Sequence, residues 1–373
     1  MELDSFIEKF GGLTEEYTFY QGQVTLRYDP KKHVYLLMTE NGLEVQDGVT
    51  SICHIIDKSM ALVPWGCKMM EQKLLLTTPT ANGMVLLPFK QYMDIVAAAK
   101  TAHKEKLEEA GNLGKIAHAW IEEYIKEKLD PNVIVPDLPI DERAKNACIA
   151  ALTWMERHNV RWLFTERKVY SRHYKYAGTM DGLCKVDSCA DPNCCPNKFV
   201  DRLTIADWKS SNYLYPEYML QTAAYMQAYR EEMCENVVDR WVVRLGKDDA
   251  AFEAWHLEWD TYEVDFKAFT DALALSRSMA TIGERLTKVK NTYKLAKKAV
   301  KTEALKLKCK KADKYKGQRK SNCGCKFCED KYAEVQASKP PKITKVKKAK
   351  LMKVTAIIAP DLIKSLQSLL EKP

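Results

Sequence analysis

Two short acidic motifs carry the chemistry open to this chain. Asp181 follows Gly178-Thr179-Met180, and 26 residues later comes Asp207-Trp208-Lys209, with Gln221 and Tyr225 beyond it. Apolar residues fall at alternate places from Lys175 to Val186, and more clearly from Leu203 to Lys209, so both motifs are expected on strands. Strand side chains alternate faces, which turns Asp207 and Lys209 one way and Trp208 the other. A carboxylate and an ammonium held side by side at a strand end suit phosphodiester hydrolysis. Hard oxygen ligands there bind Mg²⁺ or Mn²⁺, and a cation offsets charge building on phosphorus. The Trp208 backbone carbonyl, left free at such an end, offers a further metal ligand. A purely structural Asp207–Lys209 ion pair would explain these two residues, but not Asp181 or the helix that follows.

Further positions fall in order upstream. Val49-Thr50-Ser51-Ile52 is followed by Trp65, Gly114-x-x-x-His118 opens a helix, and Glu166 ends the apolar stretch Trp162-Leu163-Phe164. On a helical wheel His118 sits at one edge of the stripe carrying Ile116, Trp120 and Tyr124, at the rim of the core. Gln221 and Tyr225 stand four apart and share a helix face with Tyr218, a spacing that serves a site border or plain helix packing.

Together these motifs resemble the PD-(D/E)XK nuclease superfamily, and within it the RecB-like and phage exonucleases, over roughly residues 45 to 260. The resemblance implies a restriction-endonuclease-like α/β core with a mixed central β-sheet flanked by helices. It implies a deoxyribonuclease, working from a DNA end in phage or bacterial recombination, replication or repair. Mg²⁺ or Mn²⁺ would be held by His118, Asp181, Asp207 and the Trp208 carbonyl. Lys209 would aid the attack, Glu166 would be an extra ligand or position water, and Gln221 and Tyr225 would border the site and touch DNA. By analogy the helical stretch from Tyr92 to Leu129 would arch over a single strand. A non-cleaving nucleic-acid-binding module on the same scaffold and an RNA-processing nuclease remain open alternatives.

The elements that must position these residues are legible in part. Residues 24 to 47 read as a hairpin with turns at Asp29-Pro30 and Asn41-Gly42. Helical patterns follow over Ile52 to Met70, broken by Pro64, then Tyr92 to Ala110 and Gly114 to Leu129, separated by a Gly111-Asn112 break, and Ile140 to His158. Asp239 to Leu245 and Ala254 to Trp259 read as strands, and Asp265 to Lys288 as a helix. Pro340-Pro341 reads as a linker, and Pro360 opens a short amphipathic helix. The expected organisation is an N-terminal hairpin and helical region (1–110), a nuclease core (111–284), a Lys-rich, Cys-containing extension (285–350) and a short C-terminal strand or helix (351–373).

A length of 373 residues with 46% hydrophobic content supports a sizeable core. The sequence holds no apolar run of membrane-spanning length and no secretory pattern at Met1-Glu2-Leu3-Asp4-Ser5, so a soluble cytoplasmic protein is expected. Twelve cysteines fall mostly into two close groups, as metal ligands or spare thiols in a reducing compartment do. Cys189, Cys194 and Cys195 lie in the insertion between the two motif strands. Cys309, Cys323, Cys325 and Cys328 could hold a structural Zn²⁺, with a residue of the first group replacing Cys309 as an alternative. Some RecB-like nucleases carry an iron–sulfur cluster, but this chain departs from their cysteine spacing. Unliganded thiols are the third reading.

The overall charge of +8 is unevenly placed. From Glu284 to Lys350 there are 23 Lys or Arg against 6 Asp or Glu, a net +17 that leaves the remainder at −9. Such a tail attracts a phosphate backbone without reading sequence, or serves as a solvated face, and it could also dock a recombination or replication protein. Removing every residue after 284 is expected to weaken DNA binding and flatten its dependence on salt, because fewer counterions are released. Binding isotherms at several salt concentrations check this, and an unchanged slope would place the tail away from DNA.

Overall fold

The computed structural model describes residues 15–56, 58–80 and 87–306, and side chains through 295. The chain divides into two units, 1–282 and 283–373. The first is an α/β body with a mixed central sheet flanked by helices. Its elements in order are β1 (Glu15–Phe19), β2 (Val24–Asp29), β3 (Val34–Thr39), β4 (Gly42–Gly48), α1 (Val49–Cys53), α2 (Ser59–Thr77), α3 (Phe89–Ala99), α4 (Ala102–Leu129) and α5 (Glu142–Arg157). There follow β5 (Arg161–Ser171), β6 (Tyr176–Val186), β7 (Arg202–Lys209), α6 (Glu217–Met233), β8 (Asp239–Leu245), β9 (Phe252–Leu257) and α7 (Tyr262–Lys306), which runs on into the second unit.

The nine strands form one sheet in the order β1-β2-β3-β4-β6-β7-β8-β9, with β5 paired to β6. β1 to β4 are an antiparallel meander. The tight turn after β2 is fixed by Asp29, whose Oδ1 accepts from the backbone N–H groups of Lys31 and Lys32 at 2.9 and 3.2 Å. β6 is the hub: β4 joins it in parallel through Tyr176 and Ala177, β5 runs antiparallel along its length, and β7 pairs antiparallel from Gly182 to Val186. β8 lies parallel to β7, so the connection between them must cross the sheet, which α6 does.

Both faces of the sheet are covered, which explains why β6, β7 and β8 are apolar on both sides. One face packs α4 and α5 around Trp154, Trp208 and Trp241, with Trp154 edge-on to the other two at 5.4 and 5.6 Å between ring centroids. The other packs α1, α6 and the start of α7 around Tyr176, Met180, Ile205 and Phe269. Arg240 on β8 is fully buried there, donating to Met219 O at 2.9 Å, Thr261 Oγ1 at 2.9 Å and Asp265 Oδ2 at 2.7 Å, and so ties β8, α6 and α7 together.

Several sequence expectations shift. The helical stretch before the site breaks at Lys100-Thr101, where Thr101 Oγ1 donates to Ala98 O at 2.9 Å, and α4 runs unbroken through Gly111-Asn112. A helical glycine costs about 1 kcal/mol, which the buried face from Leu113 to Ile125 outweighs. Pro64 does not break α2. The carbonyl it leaves without an intrahelical donor is that of Met60, a residue 89% exposed, where water can serve. The meander gains β1, β9 lies two residues earlier than expected, and α7 extends well past Lys288. The expected linker at Pro340-Pro341, the helix from Pro360 and Cys309, Cys323, Cys325 and Cys328 lie outside the described residues.

Removing the carboxylate beside a buried guanidinium leaves an uncompensated charge, so Asp265→Ala is expected to cost about 3–5 kcal/mol in denaturant unfolding. A loss below about 1 kcal/mol would show that Arg240 does not depend on this partner.

Candidate functional site

The ladder between β6 and β7 ends at Gly182↔Ala206, and one step further the register sets Asp181 opposite Asp207. There the strands part. Trp208 N–H donates to Asp181 Oδ2 at 2.8 Å, a side-chain bond where the backbone ladder has stopped. Gly178 to Asp181 lie between the β4 and β7 pairings of β6, so the acidic motif sits at a fork in the sheet.

Two glycines let helices reach this fork. A Cβ on Gly114 would lie 2.6 Å from Ser210 Oγ just past β7, so α4 packs close to the strand end here and any side chain would make that hydroxyl move. One turn on, His118 Nδ1 then comes 3.7 Å from Asp181 Oδ2. A Cβ on Gly178 would lie 2.5 Å from Tyr225 Cε1, so α6 seats on β6 in the same way. The spacings Gly114-x-x-x-His118 and Gly178-x-x-Asp181 thus each pair a contact point with a functional group.

Glu166 completes the cluster from β5. The register puts it opposite Asp181, between the pairs Thr165↔Gly182 and Arg167↔Met180, and its φ is +47°. A left-handed glutamate inside a strand is strained, and such strain persists only where surrounding structure enforces it. Ligand atoms of His118, Glu166 and Asp181 all lie within 4.8 Å of one another, a grouping that could hold a metal ion.

Asp207 is fully buried, and neither of its oxygens receives a well-aligned hydrogen bond, although Lys209 Nζ stands 2.5 Å from Oδ2 as an ion pair. Lys209 also donates to Gln221 Oε1 at 3.3 Å and lies 4.8 Å from the Tyr218 ring centre, while Gln221 Nε2 donates to Tyr225 OH at 2.8 Å. Gln221 and Tyr225 therefore link α6 to the lysine through these bonds. The Trp208 side chain turns away into the core among Trp154 and Trp162, as the strand period requires.

Electrostatics follow from enclosure. Burial, reinforced by Asp181, pushes Glu166 up to about 8. Burial likewise raises Asp181 and lifts Asp207 to about 6 against the pull of Lys209. Burial and the Lys209 charge lower His118 to about 4, so its imidazole is neutral and free to bind a cation. Burial alone would lower Lys209, but the Asp207 and Asp181 carboxylates overcome it and keep the ammonium charged. Three carboxyl groups with raised pKa and too few donors form a place where a metal cation could supply the charge the protein withholds.

The fork opens on a cleft of about 670 Å³ that reaches His118, Trp208 and Lys209. Its lining includes Trp65, Tyr213, Tyr215 and Tyr218 together with Lys106 and Lys247, and no acidic residue among those described. Lys106 is engaged by Glu109 at 2.7 Å. Of this wall, sequence reasoning named Trp65 and Tyr218 but passed over Tyr213 and Tyr215, although both follow Lys209 closely. It also passed over His158, which meets Cys189, Cys194 and Cys195 in a second group able to hold a metal.

Comparison with protein-family models finds none that matches the chain, and comparison with curated proteins finds no match either. No helix among the described residues is long and apolar enough to cross a membrane.

A carboxyl with a raised pKa destabilises the fold at higher pH, because the folded state keeps a proton that the unfolded chain gives up. For Glu166 this loss begins near its ordinary value of 4.5 and is complete above about 8. Glu166→Gln is therefore expected to raise the melting temperature of chelator-treated protein at pH 8, with the gain fading toward pH 4. A difference from the parent that does not vary with pH would show that Glu166 ionises freely.

Proposed function

We propose that this chain is a divalent-metal-dependent nuclease with a restriction-endonuclease-like core, hydrolysing DNA phosphodiester bonds from an end, as the resemblance to RecB-like and phage exonucleases implies. The observation that carries this reading is the meeting, at one sheet fork, of His118, Glu166 and Asp181 with the Asp207–Lys209 pair beside a cationic, aromatic cleft. An ion-pair network built for stability would not set Asp181 between a second carboxyl, Glu166, and the Asp207–Lys209 pair, since each buried like charge costs free energy.

Asp181, Asp207, His118 and the Trp208 carbonyl would hold Mg²⁺ or Mn²⁺, with Glu166 as a further ligand or the group that orients water. Oxygen donors with one imidazole suit these ions. When bound, the ion supplies a Lewis acid and lowers the pKa of a coordinated water. Lys209 stays protonated, so its part is to offset charge on the phosphoryl oxygens rather than to remove a proton. Gln221, itself held by Tyr225, gives the ammonium a second acceptor beside Asp207. In the cleft, Tyr213, 68% exposed, and Tyr215 offer faces on which bases stack. Work in recombination, replication or repair, with a partner docked on the C-terminal extension, belongs to the same proposal.

DNA labelled separately at its 5′ and 3′ ends and incubated with Mg²⁺ or Mn²⁺ tests the reading. Divalent-dependent release from an end is expected, with Asp207→Asn and Lys209→Ala each at least about 100-fold slower while still folded and binding DNA. Undiminished cleavage by folded Asp207→Asn protein, or none by the parent on DNA or RNA, would overturn it.

A further inference from the structure

The connection between β6 and β7, residues 187–201, has no regular structure. Few backbone bonds hold it: Asp187 N–H donates to His158 O at 3.0 Å, Ser188 N–H donates to Phe199 O at 3.1 Å, and Asp191 O accepts from the N–H groups of Cys194 and Cys195 at 3.1 and 2.9 Å. That turn presents Cys194 and Cys195 to the same point as Cys189, whose Sγ lies 3.6 Å from Cys195 Sγ. From across the core His158, at the C-terminal end of α5 and fully buried, brings Nε2 to 3.2 Å from Cys194 Sγ.

We propose that His158, Cys189, Cys194 and Cys195 form a tetrahedral zinc site that fastens this loop to the end of α5. All four donor atoms lie within 4.8 Å of one another. Four thiolate and imidazole ligands at Zn–S of about 2.3 Å and Zn–N of about 2.0 Å would stand roughly 3.5–3.8 Å apart, close to what the side chains already show. The imidazole is prepared for the role. His158 Nδ1 lies 2.8 Å from Trp154 O, a carbonyl that can only accept, so the proton sits on Nδ1 and Nε2 keeps its lone pair. Rings of Trp154, Trp241 and Phe252 fix the imidazole plane.

Donors this close converge on one ion rather than bracket a multi-iron cluster, and three soft sulfurs select zinc over Mg²⁺ or Mn²⁺. Binding would convert the three thiols to thiolates, releasing three protons to solvent, while Nδ1–H remains on Trp154 O. The site is separate from the fork: Val186, where the loop begins, is five residues along β6 from Asp181, about 17 Å of strand. It needs neither the proposed nuclease chemistry nor the four tail cysteines.

The full-length chain carrying Cys309→Ser, Cys323→Ser, Cys325→Ser and Cys328→Ser, purified without added metal, isolates this group. Elemental analysis is expected to find about one equivalent of zinc, and protein grown with Co²⁺ in place of zinc should show the strong visible bands of tetrahedral cobalt with thiolate charge transfer. Adding Cys189→Ser and Cys194→Ser should remove the metal and lower the melting temperature. If that variant does not fold, the cobalt spectrum of the parent background still decides. Absence of zinc, zinc that survives both substitutions, bound iron, or the weak spectrum of octahedral cobalt would each overturn the proposal.

Discussion

Enclosure of negative charge where β6 and β7 separate is the constraint on which the site depends. A strand pair that ends in solvent leaves its last carboxylates hydrated. Here α4 covers the fork from one side and α6 from the other, so Asp181 and Asp207 lose water while gaining only one backbone N–H and one ammonium between them. The raised pKa values of Glu166, Asp181 and Asp207 are the direct consequence, as is the persistence of the Lys209 charge. Moving any of these groups into water would relax all of them together.

Such a cluster destabilises the fold, and the rest of the body offsets it. Sheet ladders run on either side of the fork, both faces are packed with aromatic residues, and Arg240 joins three elements on one face. The left-handed backbone of Glu166 belongs to the same balance: its neighbours Thr165 and Arg167 keep their ladder partners, and the strain is confined to the residue whose carboxyl must turn toward Asp181. Glu166, Asp181 and Asp207 thus bring backbone strain and underpaired carboxylates together at one point of the sheet.

The strands that bear the acidic residues were legible because period-two alternation and β-branched content are local signals, and Asp239 to Leu245 shows the same. α5 was legible from its apolar stripe, and Asp141 caps it by accepting from Arg143 N–H and Ala144 N–H. What escaped depended on distant partners. Gly111-Asn112 reads as a break until the buried face around it is known, and the left-handed turn at Glu166 leaves no trace in residue type. His158 looked like the end of a helix. Only the folded chain shows that a loop begun 29 residues later returns three sulfurs toward it.

The β6–β7 hairpin thereby separates two kinds of ligand along its length. At the fork the donors are carboxylates and one imidazole, hard to borderline and enclosed with a fixed ammonium; at the loop they are sulfurs and one imidazole, with no charged side chain among the four. Affinity order alone would let zinc compete for both places, so discrimination must come from donor type and availability. Under the two proposals the difference lies in the donors, since sulfur ligands favour zinc while carboxylates favour Mg²⁺ or Mn²⁺. The enclosure that raises Glu166 to about 8 would make a cation compete with a proton there, so binding at the fork would strengthen as pH rises. On these proposals one hairpin would carry a hard cation at its fork and zinc at its loop end, each chosen by the donors that the strands and the loop supply.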